Sequence, residues 1–194
     1  MIVEGIKVYD GSHLQDRFAY DHFKSKVTPI GNIIAFRAPM KVEAEFMVDK
    51  EDLINSDFIY SEDAINICYE IPGQSLWAGV AFQRLYNSII ANILAGYIKA
   101  DIEVDGDDIM VRKEFTQGGI VQQKGKASVS IVKECNGAIL GHTGINIVAG
   151  RQAPAFAYST RLTDQEVQAF MMDCVKAFYE TANSIFIATT KIIK

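Results

Sequence analysis

Cysteine is scarce in this 194-residue chain: Cys68, Cys135 and Cys174 are three in number, widely spaced and never in a C-x-x-C pair. An odd count without that spacing argues against a disulfide framework or a cysteine zinc cluster and fits free thiols in a reducing compartment, so the expected address is the cytoplasm. Proline is also rare, with 4 residues, and no Pro-, Gly- or Ser-rich linker, repeat or low-complexity tract interrupts the chain. That excludes collagen-like and disordered classes and leaves one domain over 1–194 as the expected organisation. Positive charge is in deficit, 19 Lys and Arg against 24 Asp and Glu, for a net charge of −5. Non-specific nucleic-acid affinity rests on clustered Lys and Arg, so nucleic acid is a disfavoured partner. There is no apolar run of about 18 residues, and the opening MIVEGIKVYDG lacks the basic start and apolar core of a signal peptide, so neither a membrane span nor a secretory leader is expected. Missing too are G-x-S-x-G, H-E-x-x-H, G-x-x-x-x-G-K-[ST] and G-x-G-x-x-G, the mechanical parts of the common hydrolases, zincins, P-loop proteins and Rossmann enzymes.

What is present is a mixture of helix and strand signals, which predicts an α+β fold with an antiparallel-dominated sheet packed by helices. Ile2 to Val8 alternates and runs into Asp10-Gly11, the pattern of a strand and turn; Leu14 to Phe23 reads as helical or irregular. Asn32 to Arg37 reads as a buried strand closed before Pro39, Lys41 to Met47 as a half-buried strand, and Asp49 to Ile54 as a short helix. The β-rich run Ala64 to Ile71 stops at Pro72-Gly73. Leu76, Val80, Leu85, Ile89, Ile93 and Tyr97 lay an apolar stripe wide enough for a buried face along a helix over 76–97 that Gly96 should end. Turn pairs Asp105-Gly106, Gly118-Gly119 and Asn136-Gly137 divide 102–148 into three or four strands, Asn136-Gly137 being the clearest hairpin signal. Thr163-Asp164-Gln165-Glu166 forms a capping box that opens a last helix, with Val167, Phe170, Met171, Cys174, Val175 and Phe178 three and four apart.

Candidate chemistry concentrates between Asp107 and Ile147. Lys126 opens a strand of otherwise small and apolar residues, after an acidic turn at Asp107-Asp108 and before a second strand holding Gly141 and Gly144. An ammonium there presents a point charge to a carboxylate or phosphate held over the sheet; the alternative is that Lys124 and Lys126 are solvated turn residues. Arg37, at the end of an apolar strand, either clamps an anionic ligand or pairs with Glu43 or Glu45. Arg84 faces a ligand or water, and Glu62 with Asp63 reads as a Mg²⁺-binding or basic pair or as a solvated turn. Trp77, Tyr86 and Tyr97 read as core or interface before a stacking platform. His13, His22 and His142 are too dispersed for a metal shell without added carboxylates and read better as loop histidines.

The order of these residues resembles the catalytic core of the biotin and lipoate protein ligases. Asp108 with Ile109 matches the acidic turn, Lys126-Ala127-Ser128 the lysine strand, and Gly144-Ile145-Asn146-Ile147 the last strand. Over nearly its full length the chain resembles domain of unknown function family 366, on Ala19-Tyr20 followed by Phe23, Phe36-Arg37-Ala38-Pro39-Met40, Gly106-Asp107-Asp108 and His142 to Asn146. The ligase resemblance implies a scaffold similar to that of class II aminoacyl-tRNA synthetases and a ligase or acyltransferase acting on a small carboxylic acid through an acyl-adenylate. It also implies ATP with Mg²⁺ as cofactor, Lys126 as the catalytic residue on carboxylate and phosphate, and Arg37, Asp108, Ser128, His142 and Asn146 as substrate contacts. Two departures stand out. Where lipoate ligases carry an Arg-rich triple-glycine loop, this chain runs from Asn55 to Asp63 without glycine and with acids at Asp57, Glu62 and Asp63, and Arg112 to Gln123 is an insertion. The alternative function on the same scaffold is a non-catalytic ligand-binding or homo-oligomeric interaction protein.

Overall fold

Residues 2–8 do not form the strand that their alternation predicts. Gly5 sits at φ +86 in the middle of the run, and the segment becomes a strap whose strand-like pairing with the sheet is limited to single parallel bridges, Ile2 to Ala35 and Tyr9 to Met40. The computed structural model describes residues 1–55 and 58–192; Ser56 and Asp57 of the glycine-free stretch lie outside the described residues. After the strap come a 3-10 turn, Ser12–Leu14, and a short helix α1, Ala19–Phe23.

Strand β1, Asn32–Val42, fuses the two strands expected on either side of Pro39. The register against the next strand slips between Ala38 and Met40, so the proline occupies a bulge where its missing N–H breaks no regular ladder. The half-buried strand expected to reach Met47 stops at Val42, and Ala44–Phe46 forms a 3-10 turn instead. Helix α2, Lys50–Asn55, and strand β2, Ile59–Pro72, follow. Helix α3, Leu76–Ile98, begins where the Ser75 hydroxyl accepts from the Ala78 N–H at 3.3 Å; it runs past Gly96 and closes on Lys99, which adopts the left-handed conformation.

Between 101 and 148 there are seven strands rather than three or four: β3 (Asp101–Asp105), β4 (Asp108–Arg112), β5 (Phe115–Gln117), β6 (Ile120–Gln122), β7 (Gly125–Lys126), β8 (Ser128–Cys135) and β9 (Ala138–Val148). Two local events raise the count. Gly118 and Gly119, both at positive φ, fold the insertion into its own hairpin, β5–β6, and Ala127 splits the lysine strand between two sheets. Asn136 and Gly137 both take positive φ, as a tight primed turn between β8 and β9 requires. Helix α4, Asp164–Thr190, opens on the expected capping box, with the Thr163 side chain and Glu166 exchanging hydrogen bonds.

The main sheet has strand order β1-β2-β9-β8 and is antiparallel throughout; β3-β4-β7 forms a smaller antiparallel sheet beside it. Alternation along the strands gives the main sheet two buried faces. On one, Ile33, Ile65, Ile67, Tyr69 and Ile145 pack under α3 and α4 against Tyr86, Ile90, Phe170 and Phe178. On the other, Ile34, Phe36, Met40, Cys68 and Leu140 pack under the N-terminal strap against Tyr9, Leu14 and Phe18. Burial on both faces is why β2 and β9 read as near-continuous apolar runs. Gly141 is needed where the sheet meets Tyr69, since a Cβ there would lie 2.0 Å from the tyrosine ring.

Candidate anion-binding site

Lys126 sits at the junction of the two sheets with its backbone pinned on both sides. Its N–H donates to the Phe156 carbonyl and its carbonyl accepts from the Tyr158 N–H, each at 2.8 Å, while in the small sheet it pairs with Met110. Ile109, Val111 and Ala127 enter the helix-covered core, so alternation turns Asp108, Met110 and Lys126 away from it. The Lys126 ammonium lies 2.8 Å from Asp108 Oδ1, with the two side chains 30% and 32% exposed. Exposure at that level keeps the pair accessible to a competing anion.

Two more of the expected site residues touch this junction, Ser128 from the helix side and Asn146 from the strap side. The Ser128 hydroxyl accepts from the Ile109 N–H at 2.8 Å, which ties β4 to β8 one residue from Asp108. Asn146 donates through Nδ2 to the Lys126 carbonyl at 3.5 Å, whereas its Oδ1 is buried and has no partner. A buried acceptor left open is unusual, because burial without a hydrogen bond costs about 1–3 kcal/mol.

The other two lie elsewhere. His142 shares the strap-covered face with Asn146, four residues along β9, but is sealed in: Tyr9 stacks on its ring at 3.6 Å and 9°, and Nε2 lies 3.1 Å from Asn66 Oδ1. Burial pushes His142 down to about 3, so the imidazole is neutral. It is a packed core residue rather than a loop histidine. Beside it lies a cavity of about 40 Å³ bounded by Tyr9, Val42, Phe46, Asp52 and Ile59, with room for water but not for an organic acid; Lys126 does not line it.

Arg37 points to the helix side, on the same cross-strand row as Ile65, Ile145 and Ser128. Its guanidinium donates to Asp63 at 2.6 to 3.1 Å and to Asp164 at 2.6 Å, joining β1, β2 and the start of α4. The Glu43 or Glu45 pairing is therefore corrected: antiparallel pairing sets Ala38 against Ala64, which brings Asp63 alongside, and Glu43 goes to Lys41 at 2.8 Å. The two carboxylates push the Arg37 pKa further up, so its charge is permanent.

Arg84 pairs with Asp107 at 3.0 Å, and Glu62 accepts from the Arg151 N–H at 3.3 Å. Tyr86 is core, donating to the Cys174 carbonyl at 2.8 Å; Tyr97 donates to Asp173 at 2.7 Å, which helps push it up to about 12 after desolvation. A buried polar network went unread in the sequence. Gln83 donates to Ser130 at 3.0 Å, Thr143 to Asn87 at 2.9 Å, and Asn87 to the Asp107 carbonyl at 2.8 Å. It fastens the acidic turn to α3 and so holds Asp108 in place. Gln83 and Asn87, two amides four apart on the buried face of an apolar helix, were the available signal. Among the described residues no cluster of three His, Cys, Asp or Glu side chains is arranged to hold a metal ion, and no helix is long and apolar enough to cross a membrane.

Comparison with known proteins places this geometry. A protein of unknown function from Pyrococcus horikoshi superposes with a TM-score of 0.83 at 23% identity, covering 100% of this chain and 97% of that one. The biotin protein ligase from Aquifex aeolicus in complex with biotin and ATP superposes at 0.56 with 11% identity over 94% of this chain and 70% of its own. The bi-partite lipoate protein ligase from Thermoplasma acidophilum does so at 0.52 with 13% identity, over 92% and 84%. No curated protein matches the sequence. The fold is that of the biotin and lipoate protein ligases, and, with residues 1–193 matching its family model, the chain belongs to the domain of unknown function family DUF366.

Proposed function

We propose that this protein binds a small carboxylic acid through Lys126 and acts on it as a ligase or acyltransferase. The observation that supports the reading is the pair at the sheet junction: an accessible ammonium with one carboxylate partner. An ammonium engaged with one carboxylate keeps donors for a second carboxylate or a phosphate. Negative charge on the acid, and on the oxyanion formed as its acyl carbon is attacked, would be stabilised there. The Aquifex structure holds biotin and ATP, a small carboxylic acid and a nucleotide, on a related scaffold.

ATP fits this chain less well than the acid does. Glu62 and Asp63 stand where a phosphate cradle would need N–H donors, Asp63 already held by Arg37 and Glu62 packed against Gly150. Charge stabilisation by Lys126 does not depend on a bound nucleotide. Thermal unfolding with biotin, lipoate, ATP and a non-hydrolysable acyl-adenylate analogue tests the reading, since a ligand of the folded state at 100 times its Kd stabilises by about 2.7 kcal/mol. The acid or the adenylate analogue raises the Tm of the wild-type protein and not that of Lys126→Ala, whose own Tm without ligand is little changed. If nothing at millimolar concentration moves the Tm, the enzymatic reading gives way to an interaction protein.

A further inference from the structure

The start of α3 and the end of α4 run side by side and leave a groove of about 600 Å³ open to solvent. Ile30, Ile71, Phe82 and Leu85 form its floor and wall, with Trp77 and Phe186 at the rim, and no charged residue among those described lines it. Trp77, Ala81 and Leu85 are four apart on α3, and Ala182, Ile185, Phe186 and Thr189 follow at spacings of three and four on α4. Each helix thus carries exposed apolar residues beside the stripe that packs on the sheet. Trp77 is 86% exposed, Phe186 49%, Leu76 46%, Leu85 45% and Ile185 43%.

We propose that this face joins two copies of the chain, α3 and α4 of one protomer packing on α3 and α4 of the other about a two-fold axis, with Trp77 of each entering its partner's groove. Knob and groove lie on one patch, which is what an isologous contact requires. At ~200 Å² for a fully exposed large side chain, those five residues offer roughly 500 Å² of apolar surface. Two copies would together bury about 1,000 Å² of apolar surface here, the area that a specific interface needs. Charge points to the same occupant. With a net charge of −5 two copies repel overall, and a face lined by uncharged residues lets them meet without bringing like charges into contact. An anionic membrane or an acidic peptide finds no counter-charge in the lining.

Trp77 is the only tryptophan, so its emission reports on this surface directly. Sedimentation equilibrium of the wild-type protein should return twice the 21.5 kDa chain mass, with blue-shifted emission that moves to the red on dilution. Phe186→Glu should weaken association roughly 30-fold or more and red-shift the emission, and Trp77→Glu should weaken it similarly, as central aromatic anchors do. Lys126→Ala should leave the mass unchanged, so the proposal stands or falls apart from the acid-binding site. A monomer with solvent-exposed emission at every concentration overturns it, as does a dimer insensitive to both substitutions. Emission that shifts only when neutral lipid vesicles are added, with the mass still monomeric, assigns the face to a membrane and also overturns it.

Discussion

Glu70 holds the N-terminal strap down on the sheet, and neutralising it should loosen the strap selectively. Its carboxylate is 2% exposed and accepts from Arg17 Nε at 2.5 Å and from the Phe18 and Ala19 N–H groups at 2.9 Å each. Glu70→Gln keeps the shape but removes the charge from these bonds and turns an amide NH₂ toward donors. One buried N–H left open costs about 1–3 kcal/mol, and removing one side of a buried ion pair costs about 3–5. The Arg17 side chain is 35% exposed, so water recovers part of the second cost, and we expect a loss of about 3 kcal/mol. The loss should fall on the strap, because Tyr9, Leu14 and Phe18 are its main apolar anchors and the helices contact the opposite face. Urea unfolding gives the total, and hydrogen exchange reports the strap: the Phe18 and Ala19 amides should exchange roughly 100-fold faster, with the α3 amides accelerating no more than the urea loss requires. A variant within about 0.5 kcal/mol of wild type with unchanged exchange at these amides would refute the reasoning.

Asp108→Asn should barely alter stability, since an ion pair one-third exposed contributes about 0–1 kcal/mol, yet it frees the Lys126 ammonium and should tighten binding of a carboxylate or adenylate analogue roughly three- to tenfold by calorimetry. Weaker binding instead would mean that Asp108 positions the lysine rather than competing with the ligand. Burial holds His142 at about 3 against its ordinary 6.5, so the unfolded chain binds the extra proton between those values and stability falls as pH drops through that window, by up to about 1.4 kcal/mol per unit. Burial also lowers His13 and His22, so the measurement is a difference: urea stability from neutral to about pH 4 should fall less steeply in His142→Gln than in wild type, and equal slopes would remove His142 as the cause.

Much of the scaffold was legible from the letters alone because it rests on local chemistry. The capping box at Thr163, the Asn136-Gly137 turn and the periodicity of α4 act over a few residues, and the structure reproduces them; α3 forms where expected but buries Phe82, Tyr86, Ile90 and Leu94 rather than the stripe of Leu76, Val80, Leu85, Ile89, Ile93 and Tyr97, because an apolar helix offers the sheet more than one face. The order of the acidic turn, lysine strand and last β-strand placed Asp108, Lys126 and Asn146 in neighbouring segments before any contact was known. Local rules failed where something distant decided. Gly5 left the alternating N-terminus a strap, Pro39 became a bulge inside one strand, and Ala127 became the point where a strand changes sheet.

By itself, the sequence determined which residues share a face of each helix and strand, because side-chain direction repeats with the backbone period. Only the tertiary structure decided what covers each face. It put His142 under Tyr9, gave Arg37 to two carboxylates, left Lys126 accessible beside Asp108, and left apolar residues of α3 and α4 without cover. The physical reason is that cover comes from segments far apart in the chain, whose meeting depends on strand order and register rather than on any local pattern.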